Sequence, residues 1–331
     1  MNDEHADPAV GDLSEGRVLQ SILERLGPSS ALIGPGDDAA VLSAADGRVV
    51  ATVDTLVHGP DFRLAWSSAY DLGYKAAAVN LADIAAMGAT PTALLVALAM
   101  PDSTRLSFVT GLADGLRAAC HELAPGCTIE GGDLTVSDTL TIAVTALGAL
   151  SGRAPVLRSG ARRGDVVAIA GELGRAGRGL RVLFGRFTDA AGAPLPLDER
   201  LLDPAERADL AAQLRPAPPV SLGPVAAEAG ATAMMDVSDG LVLDATRLAA
   251  ASGVTIALDS SALGPDVQSA LTGGEDHALL ATFAAGHALP HGFRRVGEVL
   301  DRGDAPVLVD GTAHRGRGGW DPYRDWDART G

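Results

Sequence analysis

Apolar residues recur along the chain at two spacings, one helical and one typical of strands. The longest helical segment begins at Ser68, whose spacing to Asp71 suits a capping box, and ends at Met87. Because such segments alternate with apolar, β-branched runs, we expect an α/β protein with mixed sheets. Other helices are expected over Arg17–Leu26, Thr104–Leu123, Pro204–Leu214 and Val220–Ala229, and strands over Ala39–Leu42, Val49–Thr55, Ala93–Met100, Thr139–Leu150, Val166–Ala170, Val254–Asp259, Ala278–Phe283 and Arg294–Val299.

Turn signals and shifts in composition predict how these segments connect. The Asp46-Gly47 pair between the first two expected strands is a strong hairpin signal. Between Ser151 and Gly164 the composition turns to Ser, Gly, Arg and Pro, which marks a candidate domain boundary. The 331 residues therefore predict two domains, over residues 1–150 and 151–331.

The balance of charge excludes several classes of partner. Asp and Glu number 42 against 26 Lys and Arg, and the net charge of −16 opposes binding to nucleic acid or to an anionic membrane surface. The only lysine, Lys75, fits neither a Walker A loop nor the V-A-I-K strand of protein kinases. Cys120 and Cys127 have no zinc-type spacing. The polar N-terminus and the absence of a long uncharged stretch predict a cytoplasmic protein.

Seven aspartates lie beside glycine or apolar residues. An aspartate beside glycine is often a turn or helix-cap residue, so each alone is as compatible with a structural role as with a site. Asp83 differs, because the helix around it, AAAVNLADIAAMGA, is apolar on nearly every face. A buried carboxylate needs a cation, and Lys75 lies roughly 12 Å away along the helix axis. A metal ion such as Mg²⁺, Mn²⁺ or Ca²⁺ is the simpler partner. The seven are Asp37, Asp38, Asp54, Asp83, Asp133, Asp236 and Asp239.

Two glycine-containing motifs indicate a phosphate site. In EGGDLT, interpreted as a turn, glycine lets backbone N–H groups approach a phosphate closely. In DVSDGL, a serine or aspartate at a helix start places donors and a metal ligand at the same point. The loop GELGRAGRG lacks the GxGxxG order, so a strand-to-helix turn is the favoured interpretation. The histidines form no catalytic or zinc-type spacing and are expected at the surface or in the core.

In this order and spacing, the motifs resemble those of the thiamine-monophosphate kinases. Their superfamily also holds aminoimidazole ribonucleotide synthetase and selenophosphate synthetase. The resemblance implies the two-domain fold of that superfamily, in which the N-terminal α/β domain forms a homodimer through a shared sheet. A C-terminal α/β domain would close the cleft that holds nucleotide and metals. The matching motifs are GPGDDAAVL, ATVDTLV, AVNLADIAAMGATP, EGGDLT, LRSGARRGD, DVSDGL and LTGGEDHALL.

Position by position, the resemblance implies three groups of site residues. The Mg²⁺ ligands would be Asp38, Thr52, the Val53 backbone, Asp54, Asp83, Asp133, Asp236 and Asp239. The nucleotide contacts would be Gly132, Asp133, Arg158 and Ser238. The residues that bind the acceptor would be Asp61, Glu275 and Trp320, with Trp320 stacking on the thiamine rings.

Departures from the family pattern cluster on the acceptor side. Asp61-Phe62 stands where the family has His-Phe, and His277 stands where it usually has tyrosine. Pro322-Tyr323 replaces a second His-Phe, and Val220 follows Pro219 where the family has an arginine. These differences concern the acceptor more than ATP or the metals.

The implied reaction transfers the γ-phosphoryl group of ATP to thiamine monophosphate, which gives thiamine diphosphate and ADP. A phosphate monoester has a second pKa near ~6, so its oxygen is largely deprotonated at neutral pH and no general base is expected. Several Mg²⁺ ions would offset the repulsion between the two polyanions. Two alternatives stay open: an ATP-dependent enzyme of the same superfamily with another acceptor, and a nucleotide-binding relative without turnover. The full set of metal aspartates argues against the second.

Overall fold

The computed structural model describes residues 7–34, 40–316 and 318–320, which form two β-sheets. Asp37, Asp38, Pro322 and Tyr323 lie outside this part of the chain. The strands are β1 (Val50–Val57), β2 (Thr90–Met100), β3 (Thr128–Val136), β4 (Thr141–Ala149), β5 (Val166–Ala170), β6 (Ala231–Val237), β7 (Val254–Leu258), β8 (Ala278–Phe283), β9 (Phe293–Asp301), β10 (Val307–Val309) and β11 (Thr312–Ala313). The α-helices are α1 (Glu15–Leu26), α2 (Ala69–Ala86), α3 (Leu106–Leu123), α4 (Arg175–Arg186), α5 (Pro204–Leu214), α6 (Leu222–Glu228), α7 (Leu241–Ser252) and α8 (Val267–Thr272).

The first sheet has the strand order β1-β4-β2-β3, and α2 and α3 pack on one of its faces. Helix α2 begins at the predicted capping box, in which the Ser68 side chain accepts from the Asp71 backbone N–H. Most residues of α2 are buried, as its apolar sequence predicts, because it packs against the sheet, α3 and elements of the second sheet. This helix therefore contacts both halves of the chain.

The predicted hairpin at Asp46-Gly47 is wrong, although the turn itself forms. Gly47 has a φ of 72°, and the Asp46 carboxylate accepts from the backbone N–H of Arg48 and Gly152. Strand β1, however, pairs antiparallel with β4 over eight residue pairs, and Val41 bridges only to Ile33 among the described residues. β4 offers a long register with a buried face, which outweighs the local turn preference.

The EGGD motif forms a strand rather than the turn expected from its glycines. It lies within β3, which pairs parallel with β2 and forms an edge of the first sheet. A Cβ at Gly132 would lie 1.9 Å from the Val96 carbonyl oxygen, so glycine is required for the close approach of these two strands. Gly132 therefore has a packing role in addition to the predicted access to a phosphate.

The second sheet has the strand order β11-β10-β7-β9-β5-β8-β6. Buried apolar residues from its strands pack on α7 at one face and around α6 at the other. Strand β5 leads into α4 through Gly174, which has a φ of 73°, and this confirms the strand-to-helix interpretation of GELGRAGRG. The mixed α/β class predicted from the sequence is confirmed.

Within residues 7–34, 40–316 and 318–320, none of the helices combines the length and the apolarity needed to cross a membrane.

Candidate functional site

Strand β1 and helix α2 bring the first candidate ligands together. The Thr52 Oγ1 hydroxyl donates to Asp83 Oδ2 at 2.7 Å, and the Asp54 backbone N–H donates to Asn80 Oδ1 at 3.0 Å. Alternate residues of β1 point toward α2, which explains why Thr52 and Asp54 share this side of the sheet. Asn80 is almost fully buried and was not singled out in the sequence. The sequence signal that could have identified Asn80 is its position three residues before Asp83, which places both residues on one face of the helix.

The carboxylates of Asp54, Asp83 and Asp236 lie close enough to repel one another. Burial and the charges of Asp236 and Asp54 raise the pKa of Asp83 to about 7. Burial and the charge of Asp236 also raise the pKa of Asp54. Residues from β1, α2 and β6 thus form one acidic cluster. We call these three residues the aspartate cluster.

His277 belongs to this site and is not merely a core residue. Its Nδ1 lies 3.1 Å from Asp236 Oδ2, and both side chains are buried. Burial lowers the pKa of His277, but the hydrogen bond and charge of Asp236 outweigh it, so the pKa is higher than usual. The backbone at His277 has a φ of 53°, in the left-handed region. The sequence marked this position as a departure from the family but did not predict the ion pair.

The second aspartate of DVSDG is held by residues that sequence reasoning missed. Arg247 Nη1 lies 2.6 Å from both Asp239 Oδ2 and Asp244 Oδ1. The Asp239 backbone N–H donates to Asp244 Oδ2 at 3.0 Å. Burial raises the pKa of Asp244 to about 6. Asp244 and Arg247 lie three residues apart on α7, on one helix face, a spacing that could have indicated an ion pair.

Mg²⁺ fits the chemistry of this donor set. Among the described residues, no three His, Cys, Asp or Glu side chains are arranged to hold a metal ion. Even so, carboxylate and hydroxyl oxygens are the ligands that Mg²⁺ prefers, and a divalent cation would relieve the mutual repulsion that, together with burial, raises the pKa of Asp83. Asp38, another expected ligand, lies outside the described residues.

The acceptor residues named from the sequence line a single cavity of about 480 Å³. Asp61, Glu275 and Trp320 lie on its wall together with Ser238 and Asp239 of the DVSDG turn. Trp320 is 43% exposed, and its backbone N–H donates to the Asp239 carbonyl at 2.9 Å. The remaining wall combines apolar side chains with the cationic side chains of Arg63 and Arg181; the apolar ones include Trp66, Leu180, Leu183, Phe184 and Leu214. We call this cavity the acceptor pocket.

Asp61, which replaces the family's histidine, is tied to the backbone. Its Oδ2 accepts from the Val57 backbone N–H at 2.7 Å, at the end of β1. Burial raises the pKa of Asp61, and the charge of Glu275 adds to this effect. The carboxylate therefore stabilises the turn after β1 while it lines the acceptor pocket.

Lys75 pairs with Glu275, not with Asp83. Its Nζ forms an ion pair with Glu275 Oε2, and Gln213 Nε2 donates to the same oxygen at 3.2 Å. Burial alone would raise the pKa of Glu275, but the Lys75 charge and the hydrogen bonds outweigh it and lower the pKa.

Two expected nucleotide contacts lie apart from the aspartate cluster within this chain. Gly132 pairs with Val96, Val96 with Val144, and Val144 with Asp54, so β3 is three strands away from β1. At about 4.8 Å per strand, this separation is roughly 14 Å. Asp133 pairs with the next residue of β2 and is exposed, on the sheet face opposite to Asp54.

Arg158, a third expected nucleotide contact, is exposed in the connection between β4 and β5. Its carbonyl accepts from Ser252 Oγ at 2.7 Å, at the end of α7. The Arg158 backbone is therefore anchored to the second half of the chain, whereas its side chain is not among the residues that line the acceptor pocket.

Comparisons with known proteins identify relatives of this chain. The AIR synthase related protein N-terminal domain family matches residues 36–150. The thiamine-monophosphate kinase of Mycobacterium tuberculosis is 41% identical over 336 residues, which cover 97% of this chain and 95% of that protein. The enzyme of the same name from Corynebacterium glutamicum is 41% identical over 333 residues, covering 95% and 94%.

Solved structures of related proteins share the fold. Thiamine-monophosphate kinase from Stenotrophomonas maltophilia K279a is 34% identical with a TM-score of 0.73, covering 90% of this chain and 96% of that one. The complex of AaThiL with AMPPCP and TMP is 30% identical with a TM-score of 0.72, covering 93% and 97%. At 18% identity and a TM-score of 0.69, E. coli HypE, a hydrogenase maturation protein, shares the fold alone. The resemblance of the motifs is thus confirmed over nearly the whole chain, and the chain belongs to the thiamine-monophosphate kinase family.

Proposed function

We propose that this chain transfers the γ-phosphoryl group of ATP to thiamine monophosphate, giving thiamine diphosphate and ADP. The observation that carries the proposal is that the acceptor pocket reaches the DVSDG turn, so both substrates can meet at Ser238 and Asp239. A relative of known structure binds AMPPCP, an ATP analogue, together with TMP. We also infer a cytoplasmic location, where ATP is available.

Mg²⁺ would be held by the aspartate cluster and Asp239. When bound, it would offset the charge of the two phosphate groups and stabilise the charge of the transition state. The protein's own contribution is to hold the carboxylates in place. Thr52 donates to Asp83, His277 pairs with Asp236, and Arg247 pairs with Asp239. Each partner limits the freedom of one candidate ligand.

The acceptor pocket would orient thiamine monophosphate without activating it chemically. Its apolar wall suits the two rings, and Trp66 and Phe184 meet edge to face at 5.0 Å between ring centroids. The ionised Glu275 suits a cationic ring. The phosphate would lie toward Ser238 and Asp239, at the end of the pocket nearest the aspartate cluster. Catalysis would then depend on position and charge rather than on a general base.

Purified protein incubated with ATP, Mg²⁺ and thiamine monophosphate tests this function directly. We expect thiamine diphosphate and ADP in equal amounts, and no product when Mg²⁺ is chelated. If ATP binds but neither product forms, the chain is a binding protein without turnover. ADP formation with a different phosphorylated acceptor, but not with thiamine monophosphate, would indicate another enzyme of the superfamily.

Trp320 provides a test of the acceptor pocket. Trp320→Ala is expected to raise the Kd for thiamine monophosphate by roughly ten-fold, because ring stacking contributes about 0.5–1.5 kcal/mol beyond the area it buries. The Kd for AMPPCP should not change. Both constants can be measured by isothermal titration calorimetry, with Trp320→Phe as the control that keeps an aromatic face. An equal loss for both ligands would contradict the assignment of Trp320 to the acceptor.

We further propose a homodimer in which each site takes Gly132 and Asp133 from the partner subunit. Support comes from the first sheet, whose edges are β1 and β3 and whose face opposite α2 exposes apolar residues such as Val53, 60% exposed. Two copies that pair β1 of one subunit with β3 of the other would bring the strand that carries Gly132 and Asp133 of the partner subunit to the edge of the sheet that carries Asp54. Exposed apolar surface of this kind is typical of an interface.

Mixing two inactive variants tests the shared site. If Asp133 acts across the interface, a mixed dimer of one Asp54→Asn subunit and one Asp133→Asn subunit has one fully intact site. We expect each variant to be nearly inactive alone and the refolded mixture to recover a substantial fraction of wild-type turnover. Light scattering should give the mass of a dimer. A mixture that is dimeric but stays inactive would contradict a shared site.

A further inference from the structure

Lys75 connects the two halves of the chain at the wall of the acceptor pocket. Its ammonium group contacts the same Glu275 oxygen that accepts from Gln213 Nε2. Lys75 lies on α2, Gln213 on α5, and Glu275 in the loop between α8 and β8. Three elements, one beside the first sheet and two beside the second, thus meet at one carboxylate oxygen.

The contact between Lys75 and Glu275 requires a buried charge and an unfavourable backbone conformation. The Lys75 side chain is only 7% exposed, and a buried ammonium group is destabilising unless it is paired. Glu275 has a φ of 69°, an unfavourable conformation for a residue with a side chain, and its backbone N–H donates to the Ser238 carbonyl at 2.7 Å. The loop therefore holds Glu275 in one place, and Lys75 holds its carboxylate.

The same helix and the same loop also meet at the aspartate cluster. Helix α2 carries Asp83 eight residues after Lys75, and the loop carries His277, which pairs with Asp236. The helix and the loop are thus linked directly at the acceptor pocket, and at the cluster the helix supplies Asp83 while the loop supplies the partner of Asp236. A change in the first link would shift the acceptor relative to the carboxylates.

We propose that Lys75 is a positioning residue, which holds Glu275 against α2 and so sets where the acceptor lies relative to the aspartate cluster. The identity of the acceptor rests on the proposed function, but the role of Lys75 does not require turnover to be tested. Misplacement of about 1 Å at a reacting centre can lower a rate by roughly 10²-fold. Lys75 therefore affects both the binding and the reaction of the acceptor, and not those of the nucleotide.

Lys75→Met, which keeps the length of the side chain but removes its charge, is the main test. We expect the Kd for thiamine monophosphate to rise by at least about ten-fold and kcat to fall at least as much, with AMPPCP binding unchanged. Lys75→Arg should recover part of both losses. Tyr74→Phe is the matched control on α2, because the Tyr74 hydroxyl donates to Glu122 on α3, away from the pocket, at 3.0 Å. It should leave both values unchanged.

A double-variant cycle separates positioning from general packing. Glu275→Gln alone should weaken acceptor binding, and adding Lys75→Met should weaken it little further, because the two residues act through one contact. Additive losses, or an equal loss of AMPPCP binding, would overturn the proposal. Calorimetry reports these results even if the wild-type protein forms no thiamine diphosphate, an outcome that would contradict the proposed function instead.

Discussion

Asp83→Asn is expected to lower the turnover of thiamine monophosphate by roughly 10²–10³-fold while it stabilises the metal-free protein. The loss follows because one charge of the proposed Mg²⁺ site is removed. The gain follows because burial, Asp236 and Asp54 raise the pKa of Asp83 from 3.8 to about 7. The folded protein thus binds this proton more tightly than the unfolded chain does, and ionisation of Asp83 destabilises the fold as the pH rises.

The effect of Asp83→Asn on the free energy of unfolding should depend on pH. Near pH 4 the carboxyl group is protonated in the folded state, so Asp83→Asn should change the free energy of unfolding little. Above pH 7 the variant should be more stable than the wild type, by on the order of 2 kcal/mol. Chemical denaturation of the metal-free protein at pH 4 and pH 8 measures the difference, and turnover is measured separately at saturating Mg²⁺.

Two further variants test whether the result is specific to Asp83. Asp239→Asn should also lower turnover strongly but bring no gain in stability, because Asp239 already pairs with Arg247. Asp304→Asn, on an exposed loop that leads into β10 at the far side of the second sheet, should change neither property. Near-normal turnover of Asp83→Asn, or a loss of stability at pH 8, would contradict the proposed cluster.

Thiamine monophosphate should be phosphorylated, and thiamine should react at least roughly 10²-fold more slowly. The thiamine hydroxyl has a pKa far above neutral and needs a base, whereas the phosphate of thiamine monophosphate is already largely ionised. The titratable groups described at the pocket have other partners. Glu275 pairs with Lys75, Asp61 accepts from Val57, and His277 pairs with Asp236.

Steady-state rates of ADP release with each acceptor measure this discrimination. Thiamine with added inorganic phosphate is the control, since it supplies the ring system and a free phosphate without joining them. Comparable rates on the two acceptors would mean that a general base is present. Asp61 and His277 would then be the first residues to substitute, because both are titratable and lie at or next to the acceptor pocket.

Features encoded over short distances along the chain could be predicted from the sequence. The capping box at Ser68, the buried helix α2 and the buried strand β8 each depend on residues within one segment. The order of the acidic motifs was also sufficient to identify the family. The feature that singled out Asp83 was also local: the surrounding helix is apolar on nearly every face, and a carboxylate on such a helix requires a partner.

The tertiary structure alone decided which segments meet. The hairpin at Asp46-Gly47 was wrong because β4, about ninety residues later in sequence, pairs with β1 more extensively. The partner of Lys75 is Glu275, 200 residues away, and no periodicity predicts such a contact. The position of Asp133, on the opposite edge and face from Asp54, follows from strand order. Sequence spacing specifies helices, strands and caps because their hydrogen bonds are local, whereas pairing between distant strands and ions depends on packing over the whole chain.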